Sequence, residues 1–278
     1  MVEEVGGAGR ERVASDPAPV KTLDYGERGK VLVYTDGEAL AQAAAQSFVR
    51  AVGEAVAARG LAHVAFSGGS TPKRMAELLA GQPYCDQVPW AQIEFAWGDE
   101  RWVSLSSPES NAGVAQRTLL DHVPVSPSRV NPFPSPDEIP DPKLAASMFE
   151  TQLKMVSGTT DGAPRLDLVF LGMGDDGHTA SLFPGTAAIH EEDALVVAHY
   201  VDKLAADRLT FTPPLINAGR EVVFLVGGAG KAEMLARVLE GPIDVDELPS
   251  QVIRPPDGSL TWLVDEGAAV KLTGVVSA

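Results

Sequence analysis

A chain of 278 residues, 45% of them apolar, is long enough to bury one large core, and it carries a formal charge of −16. That charge argues against nucleic acid and anionic membranes as partners, because both need a basic surface to replace counterions. A single cysteine, Cys85, excludes an internal disulfide framework and a cysteine-based zinc site, and no run approaches the roughly 18 apolar residues that span a bilayer.

Residues 1–22, rich in Gly, Glu, Arg and Pro and without the apolar stretch of a signal peptide, read as a disordered leader. Residues 23–278 read as a single α/β domain, expected in the cytoplasm. A strand is expected at residues 31–35, after which Asp36 caps a helix whose Leu40, Ala44, Phe48, Val52 and Val56 form one apolar stripe. A second strand at 62–67 leads into a helix that starts near Pro72 and turns Met75, Leu78 and Leu79 inward. A third strand at 93–97 is followed by a loop and a helix over 110–122. The stretch 126–142 holds six prolines without periodicity and reads as a surface loop. The next helix, 143–156, is expected to place Leu144, Met148, Phe149 and Leu153 on one side. A buried-type strand at 166–171, shorter strands at 194–201 and 208–211, and a buried strand at 221–226 come next. The last of these leads into a helix carrying Met234, Leu235, Val238 and Leu239, and a final strand is expected at 260–264. This alternation predicts a doubly wound, mainly parallel sheet flanked by helices. Ligands in such sheets bind beyond the carboxyl ends of the strands.

Three glycine loops stand at those ends. In Ser67-Gly68-Gly69-Ser70-Thr71-Pro72 the glycines permit a tight turn and close ligand approach. Ser70 or Thr71 can cap the helix or offer a hydroxyl to an anion beside free backbone N–H groups. In Gly172-Met173-Gly174-Asp175-Asp176-Gly177-His178 the glycines satisfy the dinucleotide pattern, but Asp175 and Asp176 would occupy the place of the pyrophosphate. The segment instead offers His178, expected near the start of a short helix that ends by Pro184, where the ring stays neutral and can accept a proton. One of the two aspartates, Asp176 before Asp175, can orient the ring by accepting its other N–H. In Gly227-Gly228-Ala229-Gly230-Lys231 the P-loop pattern fails, since Leu225 replaces its first glycine and Ala232 its metal-binding hydroxyl. Lys231 nevertheless sets a cation at a helix start, suited to a phosphate.

A fourth segment, Trp97-Gly98-Asp99-Glu100-Arg101-Trp102, makes Asp99 and Arg101 candidate ligand contacts, with Arg101 able instead to pair with Asp99 or Glu100 as structure. Arg208 is a weaker candidate of the same kind. His63, His122, His190 and His199 lack ligand spacing, so no metal site is expected. Nor is there a nucleophile elbow, since Ala65 stands where its first glycine is needed before Ser67.

These segments, together with Ser110-Asn111, Arg208-Leu209-Thr210 and the run from Thr179 to Pro184, resemble the 6-phosphogluconolactonases, relatives of the glucosamine-6-phosphate deaminase/isomerases. The matching stretches run in the family's order from about residue 31 to 241. The resemblance implies a cofactor-free, doubly wound fold acting on 6-phosphogluconolactone; a monomer or small homo-oligomer is expected. It makes His178 the general base, gives phosphate to Gly68, Gly69, Ser70, Thr71 and Lys231, and lines the site with Arg101 and Arg208. The pattern departs at Ala206 and Asp207, where members of the family often carry prolines. A deaminase/isomerase of the same superfamily is the rival reading, and a sugar-phosphate-binding regulator is the rival from outside enzymology. The regulator would require a DNA-reading helix pair and a basic face that this sequence lacks.

Overall fold

A computed structural model describes residues 17–275. Most of the expected leader lies outside the described residues. Its last positions do not, because Lys21 and Thr22 belong to a strand, β1 (Lys21–Asp24), which pairs antiparallel with β2 (Lys30–Tyr34).

Helix α1 (Gly37–Arg59) begins where the Asp36 side chain accepts a hydrogen bond from Ala39 N and ends at Gly60 in the left-handed region. Its stripe of Leu40, Ala44, Phe48 and Val52 is fully buried. The chain continues through β3 (Ala62–Phe66), α2 (Ser70–Leu79), β4 (Ile93–Trp97), β5 (Asp99–Arg101), α3 (Asn111–Thr118) and α4 (Pro142–Ser157). Then follow β6 (Leu168–Gly172), β7 (Val196–Val201), β8 (Ala206–Phe211), α5 (Pro213–Asn217), β9 (Glu221–Val226), α6 (Ala232–Glu240), β10 (Ser259–Asp265) and α7 (Glu266–Ala269).

A seven-stranded sheet runs in the order β1-β2-β10-β9-β6-β3-β4, parallel except for β1. Strands β3, β6 and β9 are almost wholly apolar, as central strands covered on both faces must be. The fold is therefore the expected doubly wound α/β sheet, with one addition. Strands β5, β8 and β7 form a separate three-stranded antiparallel sheet. Its β5 is three polar residues long, too short to show a period of two.

Chain direction changes between β3 and β6. From β3 the chain goes outward to β4, whereas β6 leads toward β9 and β10 on the other side. The loops leaving β3 and β6 diverge there and open a crevice, the usual ligand position in open α/β sheets.

Two expectations about faces are corrected. On α4, Phe149 and Leu153 are buried with Ala145 and Ala146, but Leu144 and Met148 are 51% and 49% exposed. The buried row is 145, 149, 153, and a residue one position away lies about 100° around the helix. Leu78 is likewise only half-buried, while Met75 and Leu79 pack fully.

The core is anchored by aromatic clusters. Phe48 lies 5.7 Å from Phe66, 6.0 Å from Trp90 and 6.3 Å from Phe95 between ring centroids. On the far side of the sheet order, Phe224 and Trp262 stack at 3.8 Å on adjacent strands. Replacing Phe48 with Ala removes the ring that joins α1 to β3 and β4. Denaturant unfolding is expected to show a loss of about 3–5 kcal/mol; a loss below about 1 kcal/mol would contradict this packing.

Candidate active site

The segment after β6 does not form the expected helix. Residues 173–186 are turns and short bridges, so His178 does not sit at a helix N-terminus. Gly177 has φ +79 and Ala180 φ +47, conformations that interrupt any right-handed helix. The loop is closed instead by Gly174 N donating to His178 O at 2.8 Å and by Thr179 Oγ1 donating to Gly172 O at 2.9 Å. From the other side, Ser250 donates both its N and its Oγ to Gly177 O, at 2.9 and 2.8 Å.

A carboxylate therefore sets the state of the histidine, not a helix dipole. His178 Nδ1 lies 2.5 Å from Asp176 Oδ1. An ionised carboxylate only accepts, so Nδ1 carries a proton, and in the neutral ring the lone pair is on Nε2. The ring also packs on Phe183 with centroids 4.2 Å apart. Gly174 is required by this arrangement, because a Cβ there would collide with Nδ1 and Cε1 of His178. The hydrogen bond from His178 and then that from Lys203, whose Nζ is 2.7 Å from Oδ2, hold the Asp176 carboxyl well below the usual carboxylate range. Asp175 turns the other way: its side chain is 86% exposed, with Oδ1 2.5 Å from Lys231 Nζ.

The loop after β3 faces this histidine across the crevice. Gly69, at φ +113, takes the N-cap position of α2 with no side-chain cap, so Ser70 and Thr71 lie inside the first turn and do not cap it. The first backbone N–H groups of that helix have no intrahelical acceptor, and Pro72, third in the helix, has no N–H to satisfy. Gly68 has no room for a Cβ because the Asn111 side-chain amide occupies that space. Across the crevice, Asp265 Oδ2 accepts from Gly228 N at 2.8 Å and positions the glycine loop that carries Lys231.

Strand β5 contributes the third wall. Arg101 does not pair with Asp99 or Glu100 through its guanidinium; its Nη1 donates to Glu109 O at 2.5 Å. Glu100 is buried and accepts from Arg101 N, Asn111 N, Ala112 N and Ser110 Oγ, which ties β5 to the start of α3. Burial pushes the Glu100 carboxyl up, against the pull of those backbone N–H donors. Asp99, also buried, accepts from Ser181 Oγ at 2.8 Å through Oδ2, while Asn111 Nδ2 donates to its carbonyl at 2.9 Å. Arg208 lies directly across the strand pair from Arg101. Burial and then the neighbouring Arg101 charge push its guanidinium down.

The candidate residues converge. One hollow of about 280 Å³ is lined by Gly68, Gly69, Ser70, Thr71, Asp99, Arg101, His178 and Lys231. A second, of about 310 Å³, shares Asp99, Arg101, His178 and Ala180 with it and adds Asp176, Lys203 and Arg208. His178 stands between the two. Sequence reasoning had not singled out Ser181, Lys203, Gly174 as a close-contact position, or Asp265. For Asp265 a signal existed, the last residue of a strand beside a glycine loop; for Lys203 only the β7–β8 pairing reveals its place. Among the described residues no group of three or more His, Cys, Asp or Glu is arranged to hold a metal ion, and no helix is long and apolar enough to cross a membrane.

Fold and cleft together define a doubly wound α/β protein with a carboxylate-oriented histidine between anion-suited loops. Residues 35–262 match the family model described as glucosamine-6-phosphate isomerases/6-phosphogluconolactonase, and the chain belongs to that family. It is 41% identical to a 6-phosphogluconolactonase of Synechocystis sp. over 220 residues, 79% of this chain and 88% of that one. It is 40% identical to a 6-phosphogluconolactonase of Nostoc sp. over the same shares. The solved 6-phosphogluconolactonase from Trypanosoma cruzi superposes with a TM-score of 0.77 at 27% identity, covering 88% of this chain and 97% of its own.

Adding a methyl group at Gly174 tests the close approach directly. Gly174→Ala is expected to leave the unfolding midpoint nearly unchanged yet lower kcat by about 10²-fold, because the imidazole must leave its carboxylate. Full turnover in this variant would show that the contact has no catalytic consequence.

Proposed function

We propose that this chain hydrolyses 6-phospho-D-glucono-1,5-lactone to 6-phosphogluconate in the pentose phosphate pathway, acting in the cytoplasm with water activated by His178. The observation that carries the mechanism is the 2.5 Å contact between His178 Nδ1 and Asp176 Oδ1, which leaves Nε2 as the proton acceptor in the cleft. The family membership and the 6-phosphogluconolactonase relatives support the substrate.

A lactone carbonyl is already electrophilic, so the reaction needs an activated water and somewhere for negative charge to develop. Nε2 takes a proton as the water oxygen bonds to C1, giving a tetrahedral oxyanion. The oxyanion then collapses, the bond from C1 to the ring oxygen breaks, and the proton passes from Nε2 to that oxygen. General base catalysis of this kind contributes about 10²–10⁴-fold. Arg101 and Arg208, whose guanidiniums bond to backbone carbonyls and not to carboxylates, supply fixed positive charge beside the reacting carbon. Asp99 accepts hydrogen bonds from sugar hydroxyls. Gly68, Gly69, Ser70 and Thr71, at the start of α2, hold the phosphate together with Lys231, which gives up its pairing with Asp175. Phosphate anchoring orients the lactone without entering the reaction.

The deaminase/isomerase reading would require groups that move protons at C1 and C2 of an amino sugar. His178 and its single carboxylate serve one water and one leaving oxygen, which favours the hydrolase.

Rates above spontaneous decay, measured with freshly prepared phosphorylated and unphosphorylated lactone, test the proposal. Strong acceleration for the phosphorylated compound and none for its counterpart is expected; ammonia release from glucosamine 6-phosphate would favour the rival. His178→Ala should remain folded and lose about 10²–10⁴-fold in kcat, and near-normal turnover would sink the base assignment. Lys231→Ala should raise KM about tenfold or more with kcat largely retained. An unchanged KM would remove Lys231 from the phosphate site.

A further inference from the structure

Asp176 is held from two sides, and the second side has no part in the mechanism above. Its Oδ1 contacts His178 Nδ1 at 2.5 Å and its Oδ2 contacts Lys203 Nζ at 2.7 Å. Lys203 does not belong to the histidine loop. It comes from the single 3-10 turn Asp202–Leu204 that joins β7 to β8. That turn is closed by Ala205 N donating to Asp202 O at 3.1 Å, with Ala205 itself in the left-handed region at φ +48. Non-glycine residues seldom adopt this conformation, and where they do the surrounding structure imposes it. Strand β8 then runs on to Arg208, opposite Arg101 at the cleft. The hairpin that brings Arg208 to the site therefore also delivers Lys203 to the carboxylate behind the histidine.

We infer that Lys203 is a positioning residue for the His178 base: it pairs with the far oxygen of Asp176 from outside the loop and moderates the pull of that carboxylate on the proton that His178 takes up. The inference rests on the base assignment of the proposed function. The side chain of Lys203 is 68% exposed, and exposed pairs add little to stability, so the contact is not explained as a fold-stabilising bridge. Its consequence is chemical. Oδ1 also accepts from His178 N at 3.3 Å, so it keeps its place on the ring when the far oxygen is released, and what Lys203 adds is its charge. A bare carboxylate stabilises the imidazolium strongly, and a cation on its far oxygen offsets part of that attraction. The other charged groups around the pair are Asp175 with Lys231, Asp99 and Arg101 from β5, and Arg208 from β8. A substitution at Lys203 leaves all of them in place.

The test compares pH profiles of kcat and kcat/KM for 6-phosphogluconolactone hydrolysis in Lys203→Met, Lys203→Arg, Asp176→Asn and the Lys203→Met/Asp176→Asn double variant, with His178→Ala beside them. Removing the cation lets Asp176 hold the imidazolium proton more tightly, so the acid limb of the Lys203→Met profile is expected to move to higher pH. Near neutral pH its kcat should fall about tenfold, because less of the base is free, a fraction of the about 10²–10⁴-fold that a general base supplies, with KM within about twofold. Lys203→Arg should restore both, and Lys203→Met should add nothing once Asp176 is Asn. An unmoved profile in Lys203→Met, with His178→Ala inactive, would overturn this inference alone. A loss confined to KM that persists in the Asp176→Asn background would overturn it too, by assigning Lys203 to the substrate. Turnover retained in His178→Ala would instead overturn the base assignment, and this inference with it.

Discussion

The hydrogen bond between Asp176 and His178 is the constraint on which the rest of the site depends. It chooses the tautomer, because a carboxylate can only accept, and it fixes the ring against Phe183. Around it the chain makes concessions in backbone and volume. Gly174 gives up a side chain so that the imidazole can approach, and Gly177 and Ala180 adopt left-handed conformations so that the loop can turn. Ser250, from the far end of the sequence, donates twice to Gly177 O to hold that turn. A loop built this way is held by its own hydrogen bonds and those of Ser250, without regular secondary structure.

The fold supplies what the loop cannot. The divergence of the chain after β3 and β6 opens the crevice, and the apolar strands on either side keep it in place. Glycine loops after β3 and β9 face each other across it, which sets the start of α2 and Lys231 on one crevice in a chain whose formal charge is −16. The small antiparallel sheet adds the remaining wall, bringing Asp99, Arg101 and Arg208 to the same place through one strand pairing. Buried Glu100 ties that sheet to α3, and Asn111 ties it to the β3 loop.

Much of this was legible in the sequence because its physical signals are local. The α1 stripe, the capping Asp36 and the apolar runs of β3, β6 and β9 carry their own periodicity, and the structure follows them closely. The candidate residues from Gly68 to Lys231 converge because glycine loops at strand ends point to a common edge. What escaped was non-local or too short to show a period. Strand β5 is three residues, β1 begins within the stretch expected to be a leader, and Lys203 reaches Asp176 only through a hairpin. The helix expected at His178 failed for a different reason. A histidine after a strand and a glycine loop suggests a helix start, but Gly177 and Ala180 turn the chain the other way.

Which ring nitrogen of His178 carries the proton can be observed without substrate. Nitrogen-15 NMR of the imidazole side chains, with the His178 resonances assigned by comparison with His178→Ala, reports the protonation of each ring nitrogen. In the neutral ring the proton is expected on Nδ1 with Nε2 unprotonated, shifting toward the opposite tautomer when Asp176 is replaced by Asn. A neutral ring protonated on Nε2 in the unaltered protein would contradict it, because the nitrogen offered to the water would then have no lone pair to accept the proton.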